Sequence, residues 1–259
     1  MELKGTNLQI GYDDIIIVPD IDITVRKGEI TTIIGPNGSG KSTVLKALTR
    51  LLKTKKGIIT INGDDLAKID GRTLARSVGV LPQKHSAPPD FKVKDLAMYG
   101  RVPYQKWYER GSEEDERIVE WALKNAGAWD LRNKPVHACS GGEAQRVWIA
   151  TVLAQQPQIL FLDEPTTYLD IAHQQETMRL VTKLVREEGI GIVMVLHDLA
   201  QALEVSDRII VIKDGKKYAE GDPEEVISPS MLREVYGVEG ELIKLPGRKR
   251  PLLAYKEIV

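Results

Sequence analysis

Leu3 to Ile10 and Ile15 to Val25 read as short strands, apolar and polar residues alternating at Leu8-Gln9-Ile10 and from Ile21 to Val25. A third strand is predicted at Glu29 to Ile34, with turns at Gly11-Tyr12-Asp13-Asp14 and Arg26-Lys27-Gly28 between the three. The period then changes, and Val44, Leu45, Leu48, Leu51 and Leu52 fall on one helical face. Gly57 to Ile61 reads as a strand closed by Asn62-Gly63, a hairpin signal, and Val78 to Leu81 as a strand ending at Pro82-Gln83. From Lys84 to Pro135 there is no strong strand. Helical stretches stand at Lys94–Tyr99 and Glu113–Asn125, the second opened by the cap and acidic first turn of Ser112-Glu-Glu-Asp115. Beyond it, Ser140 to Gln155 is helical, Ile159 to Leu162 a buried strand and Ile171 to Glu188 a long helix. Ile190 to Leu196 is a second buried strand, Leu199 to Val205 a helix, and Arg208 to Ile212 pairs with Lys217 to Glu220 across Asp214-Gly215. Pro223, Pro229 and a helical Ser230–Tyr236 make a small tail.

Strands alternating with helices predict an α/β fold with a mostly parallel central sheet. To that core the pattern adds an N-terminal antiparallel β subdomain and an inserted helical subdomain. The expected division is a single domain over 1–259, with 1–83 and 136–259 forming the core and 84–135 the helical insertion.

Composition narrows the picture. A chain of 259 residues, 42% hydrophobic and 28% charged, is ordinary globular protein. Its net charge of −1, from 36 basic and 37 acidic residues, sets up no global field for nucleic acid. Arg248-Lys249-Arg250 reads as a solvated tail rather than a phosphate patch. The single Cys139 excludes an internal disulfide and suits a reducing compartment; it is expected to pack as a small apolar residue. No apolar run approaches the roughly 18–20 residues that span a bilayer, and no secretory signal opens the chain, so any work at a membrane is expected to go through a partner.

Three stretches carry candidate chemistry. Gly35-Pro-Asn-Gly-Ser-Gly-Lys-Ser-Thr43 lies between a strand and a helix and fits G-x-x-x-x-G-K-[ST]. Glycines Gly35, Gly38 and Gly40 let backbone N–H groups of the loop, with those of Asn37, Ser39 and Thr43, turn around a phosphate at a helix N-terminus. Lys41 reaches the outer phosphates and the Ser42 hydroxyl can ligate Mg2+, so a nucleoside triphosphate is the expected ligand. Ile159-Leu-Phe-Leu-Asp-Glu-Pro165 is an apolar strand ending in two carboxylates, Asp163 suited to hold the metal through water and Glu164 to polarise the attacking water. Ser140-Gly-Gly-Glu143 is a capping box, but a cap does not call for two glycines, which cost helix stability. Gly141 and Gly142 open the helix N-terminus to a second phosphate, which suggests nucleotides shared between two copies.

Over essentially its whole length the chain resembles the nucleotide-binding subunits of ABC transporters. Gly35–Thr43 is similar to Walker A, Ile159–Glu164 to Walker B, Ser140–Glu143 to the family signature and Tyr168-Leu169-Asp170 to the D-loop. Gln83 matches the Q-loop glutamine near magnesium, His197 the switch histidine, and Tyr12 the aromatic that stacks on adenine. Cys139 stands where the family usually has leucine, and Glu143-Ala144 replace its glutamine-rich continuation, while Gln145-Arg146 are retained. The resemblance implies ATP as substrate, Mg2+, and a head-to-tail dimer with two ATPs in its interface.

Gly100-Arg101-Val102-Pro103-Tyr104, Val147-Trp148-Ile149-Ala150 and His197-Asp198-Leu199-Ala200-Gln201-Ala202 resemble a narrower group, as do Glu220–Val226 and Leu232–Tyr236. These are the ATPases of type II importers for iron–siderophore, haem and cobalamin uptake. That implies a peripheral place on the cytoplasmic face of the membrane, polytopic permease subunits, and indirectly an extracellular or periplasmic substrate-binding protein. The surface around Ser86–Tyr108, with Phe91, Met98, Tyr99, Tyr104, Trp107 and Tyr108, is expected to receive a cytoplasmic helix of the permease. The alternative is a soluble ABC-type ATPase acting on nucleic acid or the ribosome. Such proteins usually carry a long coiled coil or two cassettes in one chain, and neither fits this sequence.

Overall fold

The computed structural model describes residues 1–106 and 111–258; Trp107 and Tyr108 of the expected aromatic surface lie outside them. The chain forms two compact units, Met1–Lys68 with Gly191–Val259, and Ile69–Ile190.

The first unit opens with β1 (Glu2–Tyr12) and β2 (Ile15–Arg26), antiparallel about a turn at Asp13-Asp14. Leu3 pairs with Val25, Leu8 with Ile21 and Ile10 with Val18, so the apolar half of each alternation lands on one buried face. β3 (Ile30–Ile34) is buried at every position, leads into the phosphate loop, and is followed by α1 (Lys41–Leu48). Leu51 and Leu52 do not extend the α1 face as expected. The Thr49 hydroxyl donates back to Leu45 O and Lys46 O, Arg50 turns left-handed at φ 59°, and Leu51 ends 63% exposed. β4 (Lys56–Ile61) pairs with β1, and Asn62 and Gly63, both at positive φ, turn the chain into the short β5 (Asp64–Asp65).

The second unit begins with α2 (Gly71–Ser77), capped by Asp70, and β6 (Val78–Leu81). Then come α3 (Val93–Tyr99) and α4 (Glu113–Asn125), the latter closed by a Ser112–Asp115 capping box. Next are α5 (Gly141–Leu153), β7 (Ile159–Asp163) and α6 (Ile171–Glu188). β6 and β7 run parallel, Val78 beside Ile159 through Leu81 beside Leu162. Val93, Leu96 and Ala97 of α3 and Val119, Ala122 and Leu123 of α4 are buried, and both helices pack on α5.

An ion pair stands inside this helical layer. Arg101 donates from Nε to Asp115 Oδ1 at 2.8 Å and from Nη1 to Ala154 O at 2.7 Å, and both side chains are less than a tenth exposed. Tyr104 stacks on the Arg101 guanidinium at 3.9 Å and donates to Gln155 O at 2.8 Å. Of the expected aromatic surface, Tyr104 is therefore half-buried and held by the ion pair, while Tyr99 and Val102 are more than half exposed.

Returning to the first unit, the chain adds β8 (Gly191–Val195), α7 (Leu199–Val205), β9 (Arg208–Lys213) and β10 (Lys216–Gly221). β3 pairs in parallel with β8 on one side and β9 on the other, and β10 closes the edge antiparallel. The parallel pairings expected of an α/β fold are thus present in each unit. The tail departs from expectation. After the helical turn at Leu232–Tyr236 it forms a two-stranded sheet of β11 (Val238–Ile243) and β12 (Leu252–Ile258). The basic cluster between them is tied down, Arg248 to Glu204 at 2.7 Å and Arg250 to Ser206 O at 3.1 Å and Glu224 at 3.3 Å.

The Arg101–Asp115 pair gives a stability test. Burial pushes the Asp115 carboxyl up, but hydrogen bonds from Arg101 and from the Ser112 N–H and hydroxyl outweigh it and hold it below the usual range. Asp115→Ala leaves Arg101 buried and unpaired and should cost about 3–5 kcal/mol by urea unfolding. Because the folded carboxyl titrates below the unfolded value of about 4, the parent's extra stability is present above that value. It is lost as pH falls through the lower folded one. The variant's unfolding midpoint should lack this acid-side component.

Candidate active site

In the first unit the chemistry stands where parallel strands end. β3 runs into Gly35 and its neighbour β8 into Leu196 and His197, Ile33 lying beside Val195, so the phosphate loop and the exposed His197 leave the same end of one sheet. Gly35, Gly38 and Gly40 all have positive φ, and Gly40 caps α1 with no side-chain hydrogen bond. A Cβ at Gly35 would fall on the Ile212 carbonyl oxygen. The loop is closed on its own lysine: Lys41 Nζ donates to Gly35 O at 2.9 Å and Pro36 O at 2.8 Å, and Lys41 is 5% exposed. The Ser39 hydroxyl is buried without a hydrogen-bond partner. A glycine cradle, a helix start without a side-chain cap, a buried lysine and an orphaned hydroxyl together fit a polyphosphate. Tyr12, at the end of β1, is 42% exposed, and Asp198 caps α7 through the N–H groups of Ala200 and Gln201.

In the second unit the parallel strands β6 and β7 deliver Gln83 and the carboxylates Asp163 and Glu164. Asp163 is buried at the end of β7, and the next residue, Glu164, is held left-handed at φ 55°. That conformation costs a non-glycine residue on the order of 1–3 kcal/mol and aims its carboxylate away from the strand line. Two donors hold it, Gln83 Nε2 at 2.6 Å and Thr167 Oγ1 at 3.0 Å, both to Oε2. Sequence reasoning singled out Gln83 but not Thr167, a threonine in a loop with no pattern to mark it. Ser140 caps α5, its hydroxyl accepting from the Glu143 N–H at 3.3 Å while Glu143 Oε2 accepts from the Ser140 N–H at 2.8 Å. The Lys134 ammonium at 2.7 Å, followed by that Ser140 N–H, holds the Glu143 carboxyl below its usual range. Burial pushes the half-buried Cys139 thiol up.

A cavity of about 230 Å³ in this unit is lined by Gln83, Gly141, Gln145, Asp163, Glu164 and Leu169. It brings Gln83, both carboxylates and Gly141 to one surface. Asp170 stands just beyond it as the cap of α6. Among the described residues no cluster of three or more His, Cys, Asp or Glu side chains could hold a metal. Ser42 in the first unit offers a hydroxyl, and Asp163 and Gln83 in the second offer single oxygens, donor types that magnesium accepts.

The profile of the ABC transporter family matches residues 18–167. The chain belongs to that family. It is 41% identical to the iron(3+)-hydroxamate import ATP-binding protein FhuC of Bacillus subtilis, over 99% of this chain and 96% of that one. To the ferric enterobactin transport ATP-binding protein FepC of Escherichia coli it is 38% identical over 97% and 93%. Among solved structures it resembles the dimeric ATP-binding cassette MJ0796 in a post-hydrolysis state with ADP and Pi, at 30% identity, covering 85% of this chain and 98% of that one with TM-score 0.73. A chain of an ABC transporter in an inward-facing conformation shares the fold at TM-score 0.85 over 98% and 97%, with 21% identity. The protein is thus an ATP-binding, ATP-hydrolysing ABC subunit, of a family whose ATPases dimerise and act with membrane permease components. No helix among the described residues is long and apolar enough to cross a membrane.

The contact of Gly35 with a backbone carbonyl makes a direct test. Gly35→Ala must displace the Ile212 peptide rather than a flexible side chain. The variant should lose on the order of 1–3 kcal/mol of stability. ATP binding, followed by a fluorescent nucleotide analogue, should fall with it.

Proposed function

We propose that this chain is the motor of an importer for a metal chelate of the iron–siderophore, haem or cobalamin type, peripheral to the cytoplasmic face of the membrane. The observation that carries this is near full-length similarity to ATP-binding proteins named for iron(3+)-hydroxamate and ferric enterobactin. A petrobactin import ATP-binding protein of Bacillus anthracis, FpuC, adds 42% identity over 92% of this chain. The permease and an external substrate-binding protein would carry the cargo, and this chain the energy. The helical insertion at 84–135 would face the permease, presenting Tyr99 and Val102.

Each motif has a role in this reading. Tyr12 stacks on adenine, and the loop from Gly35 through Asn37, Gly38, Ser39 and Gly40 to Thr43 wraps the phosphates. Lys41 offsets charge on the terminal phosphates. Ser42 and Asp163, with Gln83, would hold magnesium, which supplies further charge neutralisation when bound. Glu164 orients water against the terminal phosphate, and His197 contacts that phosphate. Ser140, Gly141, Gly142 and Asp170 act on the nucleotide of a second copy, so that two ATPs close a head-to-tail dimer. The Gln83–Glu164 hydrogen bond supports coupling between the catalytic carboxylate and the helical insertion, since Gln83 is the residue from which that insertion begins.

Glu164→Gln should still bind ATP while turnover falls about 10²- to 10⁴-fold, and the protein should shift from monomer to dimer with ATP and Mg2+ by light scattering. Lys41→Ala should lose ATP affinity and turnover together. Turnover of Glu164→Gln near the parent's would remove the glutamate from the reaction.

Transport is tested by co-expression with the permease subunits of a metal-chelate importer. ATP-dependent uptake of a radiolabelled ferric chelate into vesicles is the expected result, and uptake of none of the three chelate types would refute it. Tyr99→Asp and Val102→Asp should keep basal ATP hydrolysis but lose co-purification with the permease and transport. Normal assembly would place the docking surface elsewhere.

A further inference from the structure

The two signature glycines face inward as well as outward. A Cβ built on Gly142 would clash with the imidazole of His173, nearest its Cδ2, and one on Gly141 would stand 3.7 Å from Leu169 Cδ2. Both neighbours belong to the stretch around Asp170, which caps α6 by accepting from the His173 N–H at 2.9 Å. The first turn of α5 and the first turn of α6 are therefore in van der Waals register, with the His173 ring seated where any side chain at 142 would be. A second tie lies alongside, Arg146 Nη1 to Glu176 Oε2 at 2.7 Å. His173 Nδ1 is buried, 3.5 Å from Glu176 and 3.9 Å from Asp170, without a hydrogen bond to either. What fixes the ring is thus its packing on the glycine, not a directed polar contact.

We infer that His173 is a positioning residue that locks the signature start to Asp170, so that Ser140–Gly142 and Asp170 meet the partner copy's nucleotide as one rigid body. The inference rests on the shared-nucleotide dimer proposed above. Gly142 serves a double purpose in it: outward it leaves the helix N-terminus bare, and inward it admits the ring. Removing the ring leaves a gap beneath the signature, and the two segments then order separately at each dimerisation. A loss of register of this kind costs far more in assembly and turnover than in ATP capture, because each copy captures ATP with its own phosphate loop while its signature acts on the partner's nucleotide.

The test uses the full chain in the Glu164→Gln background. His173→Ala should bind ATP as the parent does but need about ten- to hundredfold more protein for half-maximal ATP-dependent dimerisation. His173→Phe, which keeps a ring, should restore most of it, and Gly142→Ala should behave like His173→Ala. In the nucleotide-free protein, amide exchange should quicken at the starts of α5 and α6 in His173→Ala and stay unchanged in β1. Dimerisation of His173→Ala equal to the parent's would overturn the inference, as would a His173→Phe no better than His173→Ala. Faster exchange spread evenly through the chain would also overturn it, by reducing the residue to a general stabiliser. Should the Glu164→Gln parent itself fail to dimerise with ATP, the dimer reading fails, and the exchange comparison still decides whether His173 joins the two helix starts.

Discussion

Ile30 to Ile34 lie wholly buried between β8 and β9, with parallel hydrogen bonds on both sides. A strand so enclosed can take only apolar or internally satisfied side chains; Thr31 and Thr32 are the test, and the Thr32 hydroxyl meets Ser206 Oγ at 2.6 Å. The pairing also fixes where chemistry can begin. Parallel neighbours finish at the same end, so the backbone that escapes from β3 and β8 carries the phosphate loop and His197 out together. In the second unit β6 and β7 repeat the arrangement with Gln83, Asp163 and Glu164. Polar groups gather at these exits because nothing inside the sheet could hold them.

Rigidity behind the exits comes from different sources in the two units. Around β3 it is strand pairing and glycine geometry. In the helical layer of the second unit it is the Arg101–Asp115 pair, roofed by Tyr104 and anchored to the backbone at the end of α5 through Ala154 O. Such a pair contributes little net energy over a well-packed apolar substitute, but it is unforgiving of partial removal, so it fixes one arrangement of α3, α4 and α5 rather than several. Glu164 is held the opposite way, in a strained backbone conformation stabilised by two side-chain donors. Position there depends on the hydrogen bonds from Gln83 and Thr167.

Strands and helices with regular periodicity were legible in the chain because burial of one face writes itself directly into residue order. The motifs were legible because phosphate binding demands glycine at fixed spacing and carboxylates at a strand's end. What could not be read depended on contacts made at a distance. The pairing of Arg101 with Asp115, the seating of His173 on Gly142 and the second hydrogen bond to Glu164 join residues that only the fold brings together. The end of α1 was misjudged for a local reason, since Thr49 and Arg50 override the continuing apolar spacing at Leu51 and Leu52. The final two-stranded sheet was missed because its strands are short, half-exposed and interrupted by charge. Its anchoring arginines looked solvated until Glu204, Glu224 and Ser206 O came within reach.

The lysine folded back on Gly35 O and Pro36 O changes what nucleotide binding means for this protein. The ammonium is buried and already has carbonyl acceptors. In the role proposed for Lys41, phosphate oxygens would replace carbonyl oxygens around a cation that is already buried. The net affinity contributed by Lys41 is the difference between two sets of oxygens, smaller than the gross attraction of ammonium for phosphate. In that role the Lys41 side chain would serve as a placeholder that holds the loop's shape until phosphate arrives.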